Sequence, residues 1–146
     1  MSTQTLAQPA CSLSTSRLVL ISPKFPWPVV AISARKSQNP LRVSKTSSEK
    51  ADSDVPLTVL DLLHAVHITL IARVTPEEWM SLGHGSRAQK QILQAYERRC
   101  VQAEGGWEEG VRRVDYLLGK TLLVGVEMYK TADKRDAVGR LVFSSP

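Results

Sequence analysis

The run Asp115-Tyr-Leu-Leu-Gly-Lys-Thr-Leu-Leu-Val-Gly125 contains a Gly-Lys-Thr triplet. That triplet ends the loops that wrap phosphates in backbone N–H groups and hand them to a helix N-terminus. Such a loop needs a first glycine where this chain has Val114, and a helix where it has Leu122-Leu-Val-Gly-Val126. Both requirements fail, and the triplet reads as a hairpin turn. Gly83-His-Gly85-Ser-Arg-Ala88 matches the dinucleotide pattern Gly-x-Gly-x-x-Gly/Ala. The cofactor loop follows a strand, whereas helical patterns stand on both sides here, so this is a helix–helix turn. Ser86 and Arg87 remain a candidate anion site, since free N–H groups at a helix start attract negative charge.

Asp61, His64 and His67 follow one another at steps of three, which suggests a metal. Such steps rotate steadily around a helix, so the outer two point apart, and no fourth ligand accompanies them. They read as a polar flank, with no metal and no other cofactor expected. Arg98-Arg99 and Arg112-Arg113 are the densest basic pairs of the folded part. Neighbours diverge in direction, so ion pairs with Glu97, Glu108 and Glu109 fit better than a phosphate track. Asp115, the one acid in an apolar strand, is expected to pair with Arg113. No Ser/His/Asp or Cys/His arrangement offers a catalytic residue.

The elements that would position these residues follow from pattern. Arg17-Leu-Val-Leu-Ile21 and Val29-Val-Ala-Ile-Ser33 have strand composition, with Pro23, Pro26 and Pro28 forcing extended chain between them. Thr58 with Asp61 approximates a capping box, and Val59, Leu62, Leu63, Val66 and Leu70 keep helical spacing. Leu60, Ile68 and Ile71 add a second apolar flank to that helix, more than one buried face requires. Thr75-Pro-Glu-Glu78 opens a short helix to about Leu82, and Ser86 with Gln89 a third to about Ala103, with Gln89, Ile92, Leu93, Tyr96, Cys100 and Ala103 inward. Gly110 to Leu118 and Thr121 to Tyr129 read as two strands joined by a three-residue loop containing Gly119.

Composition bounds the rest. A chain of 146 residues holds one domain. Residues 1–16 read as a disordered tail, 17–129 as the domain with a flexible insert at 34–55, and 130–146 as a tail holding an edge strand at Leu141-Val-Phe143. The net charge of +5 is concentrated in the first 56 residues, where seven Lys/Arg face three Asp/Glu. The folded part is nearly neutral, which ranks nucleic acid low among partners. No apolar run approaches the roughly 20 residues of a membrane span, so no membrane is expected. Cys11 and Cys100 read as free thiols in an intracellular protein, cytoplasmic or nuclear. The acid-free stretch of residues 1–48 keeps organellar targeting as the rival placement.

Pro26-Trp-Pro-Val29, Leu57-Thr-Val-Leu-Asp-Leu-Leu63, Val74-Thr-Pro-Glu-Glu-Trp79, Ala95-Tyr-Glu-Arg-Arg-Cys100 and Gly110-Val-Arg-Arg-Val-Asp-Tyr-Leu117, followed by Gly125, occur in an order that resembles a known family. It is the fungal family of unknown function 6699, common in mushroom-forming fungi, and the likeness spans roughly residues 17 to 128. The resemblance implies a domain boundary and carries over no activity, cofactor or site residue.

The sequence thus predicts an α+β domain, a small antiparallel sheet of the N-terminal strands and a C-terminal hairpin against two or three helices. A non-catalytic protein-interaction module ranks first, its contact stripe Leu60, Ile68 and Ile71 meeting another protein or a second copy. A binder of anionic ligands or nucleic acid using the basic arm with Arg87, Arg98 and Arg112 ranks second, and a small enzyme third.

Overall fold

The computed structural model describes residues 3–6, 8–10, 16–33, 56–129 and 136–146. The expected insert at 34–55 lies outside them. The architecture is α+β, an open four-stranded sheet with helices on one face.

Strands β1 (Arg17–Ser22) and β2 (Phe25–Ile32) form a hairpin across Pro23 and Lys24. Proline presets the turn's φ, and the Lys24 N–H donates to the Ser22 hydroxyl at 3.2 Å. Pro26 and Pro28, expected only as extended linker, lie inside β2. They are tolerated because β2 is an edge, where missing N–H groups break no ladder.

The strand order is β2-β1-β4-β3, with β3 spanning Leu122–Met128 and β4 Asp136–Ser144. β3 pairs antiparallel with β4, but β4 runs parallel to β1, so the sheet is mixed rather than antiparallel throughout. The C-terminal strand is therefore interior and not an edge. Its charged and polar residues conceal an alternation in which Ala137 and Leu141 are buried against the helices. Gly139 continues that inner set beside β1. A Cβ there would stand 2.9 Å from Leu20 Cδ2 and 3.0 Å from the Glu127 carbonyl oxygen, so the interior position admits no side chain.

Helix α2 (Val59–Ile71) begins with a complete capping box. The Asp61 N–H donates to Thr58 Oγ1 at 3.2 Å, and the Thr58 N–H to Asp61 Oδ2 at 2.9 Å. It lays Leu62, Val66 and Leu70 on the sheet's inner face. Helix α3 (Pro76–Ser81) repeats the box with Thr75 and Glu78. Gly83, at φ +86, takes the chain through the turn into α4 (Arg87–Gln102), as the glycine pair predicted. Within α4 the inward set is Gln89, Ile92, Ala95 and Cys100, whereas Leu93, expected inward, is 39% exposed.

The segment read as a strand from Gly110 is instead a 3₁₀ turn, Arg113–Leu117, with Tyr116 and Leu117 buried. The Arg112 N–H donates to the Asp115 carboxylate at 2.8 Å, a local bond that closes the turn against the segment's β-propensity. The Gly-Lys-Thr glycine accordingly lies in the turn between this 3₁₀ segment and β3 rather than inside a hairpin. Near the N-terminus, Thr3–Leu6 form one helical turn, α1. The Ala10 N–H donates to the Leu57 carbonyl and the Val59 N–H to that of Gln8, so this part of the expected tail is docked at the start of α2.

Candidate functional site

Four of the segments that carry the family resemblance, from β2, α3, α4 and the 3₁₀ turn, meet in polar contacts with one another. Asp115, 3% exposed, accepts from Arg99 Nε at 2.8 Å and Arg99 Nη2 at 3.1 Å, besides the Arg112 N–H. Its partner is thus Arg99 and not Arg113, because the 3₁₀ turn swings the carboxylate toward α4. That carboxylate holds the Arg99 guanidinium even above its usual range. Arg113 instead donates to Glu78 Oε1 at 2.7 Å and stacks on the Trp27 ring, 4.5 Å from its centroid. Trp27 Nε1 donates to the same Glu78 oxygen at 2.5 Å, and its ring meets Tyr116 edge-on at 4.6 Å. Arg112 pairs with Glu109, as its spacing suggested.

This cluster is architectural chemistry. Each acid is engaged by donors from other segments, so neither Asp115 nor Glu78 is placed to accept a substrate proton. A cleft of about 340 Å³ opens beside the Arg99–Asp115 pair, lined also by Arg98, Gln102 and Thr121.

Burial pushes the Glu78 carboxyl up, but the Thr75 N–H, Arg113 and the Trp27 indole outweigh it and hold the pKa below the ordinary 4.5. A carboxylate whose pKa is lower folded than unfolded stabilises the fold above the unfolded value, and that contribution is lost as the pH falls through the folded one. Melting temperature should therefore fall on acidification below 4.5. In Glu78→Gln the loss in that window should be shallower, which melts across pH 2.5–6 in both proteins would check (about two pH units either side of the carboxylate range).

The remaining expected residues fall apart in space. The helix start at Ser86 is occupied from within: the Gln89 N–H donates to Ser86 Oγ at 3.2 Å, and Gln89 Oε1 accepts from the Gly85 N–H at 2.8 Å. Arg87 and Arg98 are exposed on α4, while Arg112 is committed to Glu109. His64 and His67 are exposed on α2, and among the described residues no three metal-ligating side chains gather. Cys100 is buried and free, and Cys11 lies outside the described residues. No helix of the described residues is long and apolar enough to cross a membrane.

The stripe on α2 is brought together. Leu60, Ile68 and Ile71 are 54%, 51% and 43% exposed on the face turned away from the sheet. Leu60, His64, His67 and Ile71, at steps of four, three and four, form one row with Ile68 beside it. Sequence reasoning missed the Trp27–Glu78–Arg113 group, whose members lie in three distant segments. It also missed the sheet's outer face, for which there was a signal: Leu18 to Ile21 and Val29 to Ile32 are unbroken apolar runs, the pattern of strands covered on both faces.

No curated protein and no solved structure matches the chain. A family model described as a family of unknown function, DUF6699, matches residues 1–136, which takes in β1, β2, all four helices, the 3₁₀ turn and β3. With nearly its whole length matched, and four of its motif segments meeting around Glu78 and Asp115, the chain belongs to that family of unknown function.

Proposed function

We propose that the protein is an intracellular, non-catalytic protein-interaction module that docks a partner protein on the outer face of α2. The observation that carries this reading is the exposure of Leu60, Ile68 and Ile71 on one stripe of a helix whose opposite face is fully used against the sheet. The engagement of Asp115 and Glu78 by structural donors supports a non-catalytic role. The anionic-ligand reading has less support, since the N–H groups it needs beside Arg87 are bonded by Gln89 and Ser86. The motif order supports a fungal source, and the buried free thiol of Cys100 a reducing compartment.

The test is capture of partners from native cells by the full-length chain and by Ile68→Lys. The substitution sits at a half-exposed position, so the circular dichroism spectrum should be unchanged and the stability should stay within about 0.5 kcal/mol of the parent. A partner held by the parent should be lost, because an ammonium in an apolar contact must be desolvated without an opposing charge. Unchanged folding together with unchanged association would remove the stripe from consideration.

A further inference from the structure

The sheet's inner face is closed by the helices through Leu18, Leu20, Val29, Ala31, Ala137 and Leu141. Strand alternation places Val19, Ile21, Val30, Ile32, Val138 and Val142 on the other face. Register partners put Val30, Val19 and Val138 side by side across β2, β1 and β4. None of the six belongs to the hydrophobic core cluster, and Ile21, Val30 and Ile32 are 44%, 38% and 52% exposed. A sheet with one wetted face alternates apolar-in with polar-out, and β1 and β2 do not.

We propose that this outer face is the interface of a homodimer, in which a second copy of the chain packs its own outer face against it as an α/β/β/α assembly. Charge favours a like surface as the cover. At the border of the apolar centre Arg140 is paired with Glu127 at 2.6 Å. That cation is neutralised within its own chain, so a second copy meets a paired charge there and no like-charge repulsion from it.

Area agrees. Four strands at about 4.8 Å spacing and 20–30 Å length project on the order of 500 Å² per copy. With side-chain relief, two such faces reach the roughly 1,200 Å² at which specific interfaces begin. Flat rows of Val and Ile are what two sheets interdigitate at about 10 Å separation. Edge-to-edge association is closed off, since Pro26 and Pro28 deny donors along β2 and a bulge between Leu123 and Gly125 distorts the pairing of β3.

Light scattering on the full-length chain tests this. The expected mass is twice the 16.1 kDa of one chain, unchanged by added salt. Val30→Lys should halve it with the circular dichroism spectrum retained, and if that variant does not fold, Ile32→Lys at the more exposed neighbouring edge position should do the same. Ile68→Lys, on the far side of α2, should leave the dimer intact. A parent that is monomeric overturns the proposal and leaves the face to a different protein. A dimer that survives the folded outer-face variant overturns it as well, and one lost in Ile68→Lys instead assigns self-association to the α2 stripe.

Discussion

Asp115→Ala is expected to destabilise the fold by about 3–5 kcal/mol, the range for breaking a buried ion pair from one side. The carboxylate is nearly inaccessible and accepts three hydrogen bonds, two from Arg99 and one from the Arg112 backbone. Removing it leaves the Arg99 guanidinium without its carboxylate and opens the cap of the 3₁₀ turn that carries Tyr116 and Leu117 into the core. Arg99 has some access to water and keeps its bond to the Gly110 carbonyl, which places the loss toward the lower end. A total stability of about 5–15 kcal/mol is usual for such a domain, so the change is a large fraction of the whole. Urea denaturation of the parent and the variant measures it. A loss below about 1 kcal/mol, within the net worth of an ordinary hydrogen bond, would show that the cluster is not what holds the turn.

Trp27→Ala should cost about 3 kcal/mol or somewhat more, with the effect spread over three segments. The indole packs on the core, stacks near Phe25 at 6.1 Å, meets Tyr116 edge-on and lies beneath Arg113. The aromatic contact is worth about 0.5–1.5 kcal/mol beyond area, and the cation–π contact a comparable amount. Trp27→Phe separates the terms in part, since it keeps one aromatic ring and removes the pyrrole portion of the indole with the N–H donated to Glu78. Glu78 still has Arg113 and Thr75, so this variant should lose about 1–2 kcal/mol, the hydrogen bond and the missing ring atoms together. Equal losses in the two variants, read by thermal melts, would mean that the pyrrole edge with its N–H, and not the retained six-membered ring, joins β2 to α3.

Both effects rest on contacts that pattern reading does not reach. Thr58 with Asp61 and Thr75 with Glu78 were legible because a capping box closes over three residues, inside the window that spacing describes. The apolar flank of α2 was legible for the same reason, since one helical period fixes which residues share a face. The bond from Arg99 to Asp115 spans 16 residues, that from Arg113 to Glu78 spans 35, and that from Trp27 to Glu78 spans 51. In Arg113-Val-Asp-Tyr-Leu117 the cap from Asp115 to the Arg112 N–H is local, but the apolar alternation around it reads as a strand, and the Arg99 guanidinium that α4 places beside the carboxylate lies outside any local window.

Local hydrogen bonding and periodicity in the chain by itself thus determined the three main helices and their caps, the β1 region, the α+β class and the stripe Leu60, Ile68 and Ile71. Packing between distant segments decided that β4 is interior and parallel to β1, that Asp115 belongs to Arg99, and that the helices cover a single face of the sheet. Strand order and ion-pair choice depend on which surfaces meet after collapse, and that is a property of all the contacts together.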